Sequence, residues 1–355
     1  MKVSPGASPL GGSDLAELLG MRSGASASAR TAAPAMSLLM NRYQLLGEVA
    51  RGGCGAVFEG FDLRLDRLVA IKILQAGGFD RAAAARFARE ARVAAAIHHP
   101  NVCTVTDSGL LENGSPFIVM ERLHGETLRA YNSRVGRIDA EEAIELAVQM
   151  LSGLEAAHAL GIVHRDMKPE NVFVLRPPGG LPLVKLLDFG MCRRQAVEIA
   201  LDADDHSLTR AGTVVGTPEY MAPEQASGRR KFDQRIDLYA VGVMLYEMLT
   251  GTRAFTGPDP RSVLVSVLAR QLPSVRTIRP ELPVAVDRIV ARAVERDPQA
   301  RYASTGEFQN DLLHARTALR RQRQARPDVD ARQRVGRPAA PWDLPTQHNA
   351  ARRRS

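Results

Sequence analysis

The hydrophobic period of this chain changes once along its length, and that change constrains the fold more than any single residue does. Residues 43–123 carry short apolar runs bounded by turn residues: Tyr43–Glu48, Ala56–Phe61, Leu68–Leu74 and Phe117–Glu121. These read as strands, with the Ala-rich stretch Arg81–Ile97 expected to be helical. From residue 139 onward the pattern is helical. Asp139 is placed to cap a helix running through Ala159, with Glu142 at its third position completing a capping box. Leu238–Leu249 is apolar nearly all round, which predicts a helix buried on every side. A strand-rich half followed by a helix-rich half is an α+β arrangement, and the cleft between them suits a ligand.

The ends of the chain read differently. Residues 1–40 are rich in Ser, Ala, Gly and Pro and are expected to be disordered, apart from a short helix at Asp14–Leu19. Residues 320–355 hold ten arginines against Asp328, Asp330 and Asp343, so this stretch carries +7 of the net +8 and residues 41–319 carry none. The basic character belongs to a tail, also read as disordered. A binder of phosphate polymers acting through these arginines is one alternative function. Trp342 is the tail's sole aromatic, too few for base stacking, so nucleic-acid contact there is not expected. Cys54, Cys103 and Cys192 form no CxxC pair and favour reduced thiols. No apolar run reaches the ~18 residues of a membrane span, and no secretory signal opens the chain. The expectation is a cytoplasmic protein.

Chemistry-bearing residues are concentrated in a few short segments. Ala50-Arg51-Gly52-Gly53-Cys54-Gly55-Ala56-Val57 sits between two strands, where glycines let backbone N–H groups approach phosphate oxygens. Lys72 ends the apolar run Val69-Ala70-Ile71-Lys72, and a lysine there must find an anion; Glu90 is the expected partner. The loop His164-Arg165-Asp166-Met167-Lys168-Pro169-Glu170-Asn171 places a carboxylate, an ammonium and an amide together between apolar flanks. Asp188-Phe189-Gly190 follows the apolar strand Leu183–Leu187. Asp188 and Asn171 offer hard oxygen ligands suited to Mg²⁺. Gly216-Thr217-Pro218-Glu219-Tyr220 and Ala222-Pro223-Glu224 come later.

In this order, over about residues 43–315, the segments resemble the signature of the eukaryotic-type protein kinases, including their bacterial serine/threonine members. The resemblance implies a bilobal fold, with a strand-rich lobe over 41–123 and a helical lobe over 124–319. It implies transfer of the γ-phosphoryl group of ATP to protein Ser/Thr hydroxyls, with Mg²⁺ or Mn²⁺. Asp166 would orient the acceptor hydroxyl and take its proton, and Lys168 would stabilise the transferring group. Gly52, Gly55 and Val57, with Ala50 at the position of the family's first glycine, would cover the nucleotide. Lys72, held by Glu90, would grip the α- and β-phosphates; Asn171 and Asp188 would hold the metal. Ala70 and Phe173 would sandwich the adenine, Met120 would stand at the gatekeeper position, Glu121 and Leu123 would offer backbone contacts, and Glu126 would reach the ribose.

Lys168 and Thr217 fit the Ser/Thr pattern rather than the tyrosine pattern. Thr217, Glu224, Asp237 and Arg301 would be structural, with Arg301 pairing Glu224. Arg165 would receive a phosphate on Thr213, or on Thr209 as second choice, after autophosphorylation in a homodimer. Glu170 and Glu126 hint at basic substrate residues upstream of the acceptor, with merely solvated acids as the alternative reading. Ala50 for glycine, and Phe58 for the usual tyrosine, predict weakened nucleotide affinity. A pseudokinase scaffold is the remaining alternative, against which Lys72, Asp166 and Asp188 all stand.

Overall fold

The computed structural model describes residues 38–52, 55–74, 91, 93–177, 179–189, 218–228 and 232–325. Six antiparallel strands form one sheet in the order β1-β2-β3-β4-β6-β5: β1 Leu38–Leu39, β2 Tyr43–Gly52, β3 Gly55–Asp62, β4 Arg67–Leu74, β5 Val105–Leu110 and β6 Pro116–Glu121. Strand alternation decides which side chains do what. Tyr43, Leu45, Phe58, Val69, Ile71, Ile73, Phe117 and Val119 pack into one core cluster. Residues one step out of phase, Val57, Ala70, Lys72 and Met120, line a cleft instead. The register pairs Val57 with Lys72 and Ala70 with Met120, so the four share a face.

Leu38 and Leu39 pair with Gln44 and Tyr43, inside the segment 1–40 that was expected to be disordered; the rest of that segment, including the helix expected at Asp14–Leu19, lies outside the described residues. Strand β5 is absent from the sequence reading, because Thr106-Asp107-Ser108-Gly109 has no apolar alternation. Ala91 and residues 93–95 are helical, within the stretch expected to be so.

The second half is helical around a small sheet, β7 (Glu126–Thr127), β8 (Val172–Leu175) and β9 (Leu183–Leu186), in that order. Its helices are α1 (Leu128–Val135), α2 (Ala140–His158), α3 (Pro223–Ala226), α4 (Arg235–Thr250), α5 (Pro260–Ala269), α6 (Val275–Ile278), α7 (Val284–Ala293) and α8 (Thr305–Ala325). Asp139 caps α2 through the Glu141 N–H. The capping box is not completed as expected: the Glu142 carboxylate accepts from Tyr131 Oη at 2.7 Å and from Arg176. Tertiary donors outcompete the local backbone there. In α4 every residue from Ile236 to Thr250 is buried, as its all-round apolarity requires. Gly251 closes it in the left-handed region (φ 72°).

Helix α8 runs past the tail boundary expected at 319. Its arginines pair with acids of α2 and its cap: Arg316 with Glu145, Arg320 with Glu141 and Arg323 with Asp139. These partners are distant in sequence, which is why the helix end could not be read from composition.

Candidate active site

The cleft between the halves holds a cavity of about 140 Å³ that opens to solvent. Val49, Val57 and Ala70 come from one wall, Leu123 and Thr127 from the connecting stretch, and Phe173, Leu187 and Asp188 from the floor. Cys103 and Met120 also line it, while Phe173 packs with Cys103 and Leu123 in a buried cluster. Burial pushes the Cys103 thiol well above its ordinary range, so it is an inert packing group here. Val49, Arg122, Thr127 and Leu187 were not singled out from sequence; Val49 is recognisable only as the strand position beside Ala50.

Towards the turn joining β2 and β3, Ala50 pairs with Val57 directly after an irregularity in the register between Glu48 and Ala50, so alanine takes a paired strand position where a glycine was expected. Gly55 is a different case. Its φ is +141°, and a Cβ there would stand 2.1 Å from the Ile73 carbonyl oxygen, so only glycine fits. Gly53 and Cys54 lie outside the described residues.

Asp237 in the first turn of α4 organises the polar loop. Its Oδ2 accepts from the His164 N–H at 2.8 Å, its Oδ1 from the Arg165 N–H at 2.9 Å, and His158 Nε2 bonds Oδ2 at 2.8 Å. His164 is fully buried; its Nε2–H donates to the Leu187 carbonyl at 2.8 Å, and its ring lies 4.6 Å from that of Phe189. The loop and the strand end bearing Asp188 are thereby tied together. Arg165 (φ 66°) and Asp188 (φ 55°) are held in the left-handed region, whereas Met40, Asn41 and Asp66 adopt it near chain turns. Backbone strain at two polar residues beside a cleft marks a site whose geometry is imposed by its surroundings.

The functional groups converge in two sets. Lys168 Nζ donates to Asp166 Oδ2 at 2.7 Å, and Asn171 Nδ2 donates to the Asp166 carbonyl at 2.8 Å and to Oδ2 at 3.2 Å. Lys72 Nζ donates to Asp188 Oδ2 at 2.7 Å, a partner 116 residues away. Burial alone would raise the Asp188 carboxyl, but the Lys72 charge and hydrogen bond outweigh it, holding the group below the usual carboxylate range. Glu90, the partner expected for Lys72, lies outside the described residues, as do Thr209, Thr213, Thr217, Cys192 and Gly190.

Other expected positions are now placed. The Glu121 N–H is bonded to the Thr104 carbonyl at 3.0 Å, and its carboxylate accepts from Lys185 at 2.7 Å. Glu126 is paired with Arg134 at 2.5 Å and Glu170 with Arg129 at 2.8 Å. Arg301 meets Glu224 with two bonds of 2.8 Å, the pairing expected from sequence.

Comparison with known proteins gives a consistent result. The protein kinase domain family matches residues 43–314. The chain is 38% identical over 275 residues to the serine/threonine-protein kinase pkn3 of Myxococcus xanthus, covering 76% of this chain and 49% of that one. It is 36% identical over 286 residues to a probable serine/threonine-protein kinase PknB of Lactococcus lactis, covering 80% and 43%. The chain thus spans less than half the length of these curated relatives. Among solved structures, the Mycobacterium tuberculosis PknI kinase domain superposes with a TM-score of 0.61 at 24% identity, covering 80% of this chain and 100% of that one. Rad53 residues 1–466, in complex with AMP-PNP, superposes with a TM-score of 0.60 at 21% identity, covering 74% and 62%. At these identities the superpositions speak to the fold.

Proposed function

Because the chain belongs to the protein kinase family, we propose that its cleft binds ATP and transfers the γ-phosphoryl group to serine or threonine hydroxyls of proteins. The observation that carries the reading is the convergence of Asp166, Lys168 and Asn171, and of Lys72 with Asp188, at the polar end of an otherwise apolar cleft. The apolar lining receives the base. Glu121 and Leu123 lie along its edge, where the Leu123 carbonyl already accepts from the Arg122 guanidinium. That Rad53 was solved with AMP-PNP supports a nucleotide for this cleft.

Asp166 orients the acceptor hydroxyl and takes its proton as the oxygen attacks the γ-phosphorus and the bond to ADP breaks. Lys168, already against Asp166, follows the charge on the transferring group. Lys72 presents an ammonium to the α- and β-phosphates. Catalysis of this kind is positioning plus charge neutralisation, which explains why the loop is bolted to Asp237.

The donor set also fits a divalent cation. Among the described residues no group of three or more His, Cys, Asp or Glu side chains could hold a metal alone. Asp188 with Asn171 is a sparse, hard-oxygen pair of the kind Mg²⁺ or Mn²⁺ uses when phosphates complete its shell. When bound, the cation neutralises phosphate charge. Asn171 spends its amide N–H₂ on Asp166, which points its oxygen role toward the metal. Thr213, or Thr209, is the proposed acceptor of an activating phosphate, with Arg165 as its partner.

The test is phosphate transfer from labelled ATP to a generic Ser/Thr peptide. Asp166→Asn should lower kcat by about 10²–10⁴. Transfer at wild-type rate by that variant overturns the assignment.

A further inference from the structure

A peptide whose hydroxyl reaches Asp166 must pass the residues beside it, and Glu170 belongs to the same loop and lines the cleft. A carboxylate in that place ordinarily recruits a basic substrate residue by charge and hydrogen bonding. Here the side chain is still partly exposed, but its charge is already matched within the chain. Its Oε2 is buried and has no hydrogen-bond partner among the described residues. Its Oε1 accepts from Arg129 Nε at 2.8 Å. A half-desolvated carboxylate needs a cation nearby, and the chain supplies one itself.

Arg129 is held firmly at its other end. Its Nη2 donates to Tyr220 Oη at 2.8 Å, and its guanidinium carbon lies 5.6 Å from the Tyr220 ring centre. Tyr220 Oη donates in turn to Glu247 Oε2 at 2.6 Å, and Glu247 Oε1 accepts from the Ala254 N–H at 3.1 Å. Tyr220 borders the small cavity beneath the catalytic loop together with Asp166 and Met167. The same helix also supplies Arg134 to Glu126. Both acids that the sequence offers to basic substrates are therefore already matched by arginines of α1.

We propose that Arg129 is a specificity-determining residue: a built-in guanidinium that fills the acidic subsite at Glu170 and so makes the enzyme indifferent to basic residues around the acceptor. The inference rests on the kinase reading above. A purely structural bridge would change turnover of all peptides alike, whereas a specificity residue changes their ratio.

The experiment uses the full-length protein and peptide pairs that differ only by an arginine placed at successive positions around one acceptor. For wild type the ratio of kcat/KM, basic over neutral, stays within about twofold at every position. Arg129→Gln raises it about tenfold at one position, the size of one charged hydrogen bond, through KM of the basic peptide. Adding Glu170→Gln to that variant returns the ratio to the wild-type value. Glu170→Gln alone leaves the wild-type ratio in place, because its charge is already matched by Arg129. An unchanged ratio in Arg129→Gln overturns the proposal. So does a severalfold fall of the wild-type ratio on Glu170→Gln, and this second variant decides the matter if Arg129→Gln fails to fold. Absence of any transfer by wild type would instead overturn the kinase reading.

Discussion

Two ion pairs, Arg301 with Glu224 and Lys72 with Asp188, have bond lengths of 2.8 and 2.7 Å and opposite meanings. Arg301 is 0% exposed and Glu224 6%, and the guanidinium spends its donors on both carboxylate oxygens and on the carbonyls of Glu295 and Arg296. It also lies 4.8 Å from the Tyr239 ring centre. That pair is closed: no ligand can reach it. Lys72 and Asp188 instead line the cleft, with Asp188 28% exposed and its backbone held in a left-handed turn. A closed pair joins elements of the helical half. An open one across the cleft keeps two charges ready for a third. Satisfaction and access, not distance, separate a structural ion pair from a chemical one.

The largest effect expected from breaking this comparison is on stability at the closed pair. Arg301→Ala leaves the Glu224 carboxylate buried without its partner, which should cost about 3–5 kcal/mol. Urea unfolding would measure it, and a loss below about 1 kcal/mol would mean that the pair is not closed. A domain of ordinary marginal stability would retain little after that change.

What the sequence made legible follows from how local each signal is. Asp166, Lys168, Asn171 and Asp188 lie in two short segments, so a local resemblance to the kinase signature announced them, and the structure joins the first three by hydrogen bonds. Helix α4 was legible because burial on all sides leaves only apolar residues in the run. Partners across the fold were not. The sequence offered Glu90 for Lys72, a pairing that lies outside the described residues, and the bond to Asp188 becomes visible only when β4 and the end of β9 face each other. Glu142 was read as a cap and serves Tyr131 and Arg176. The arginines that continue α8 looked like a tail because their acids sit on α2. Arg129 carried no signal at all, since its meaning comes from Glu170 and Tyr220 together.

The smallest expected effect concerns acid. The Asp188 carboxyl is held below its ordinary value in the folded state, so the stabilisation that it contributes is present above the unfolded value, about pH 4. It is lost as pH falls through the lower folded value. The stability advantage of wild type over Asp188→Asn, on the order of 1 kcal/mol for a partly exposed pair, should therefore shrink in acid. Thermal unfolding of both proteins from pH 7 down to about pH 3 checks the sign. An advantage that grows in acid would contradict it.

The open pair itself is tested most directly by Lys72→Met, assayed for phosphate transfer and for thermal stability in the same preparation. An ammonium aimed at phosphates rather than at the fold predicts a rate loss of about 10²–10³ with a stability change within about 1 kcal/mol. Transfer near the wild-type rate, or a loss of activity explained by unfolding, would contradict the account.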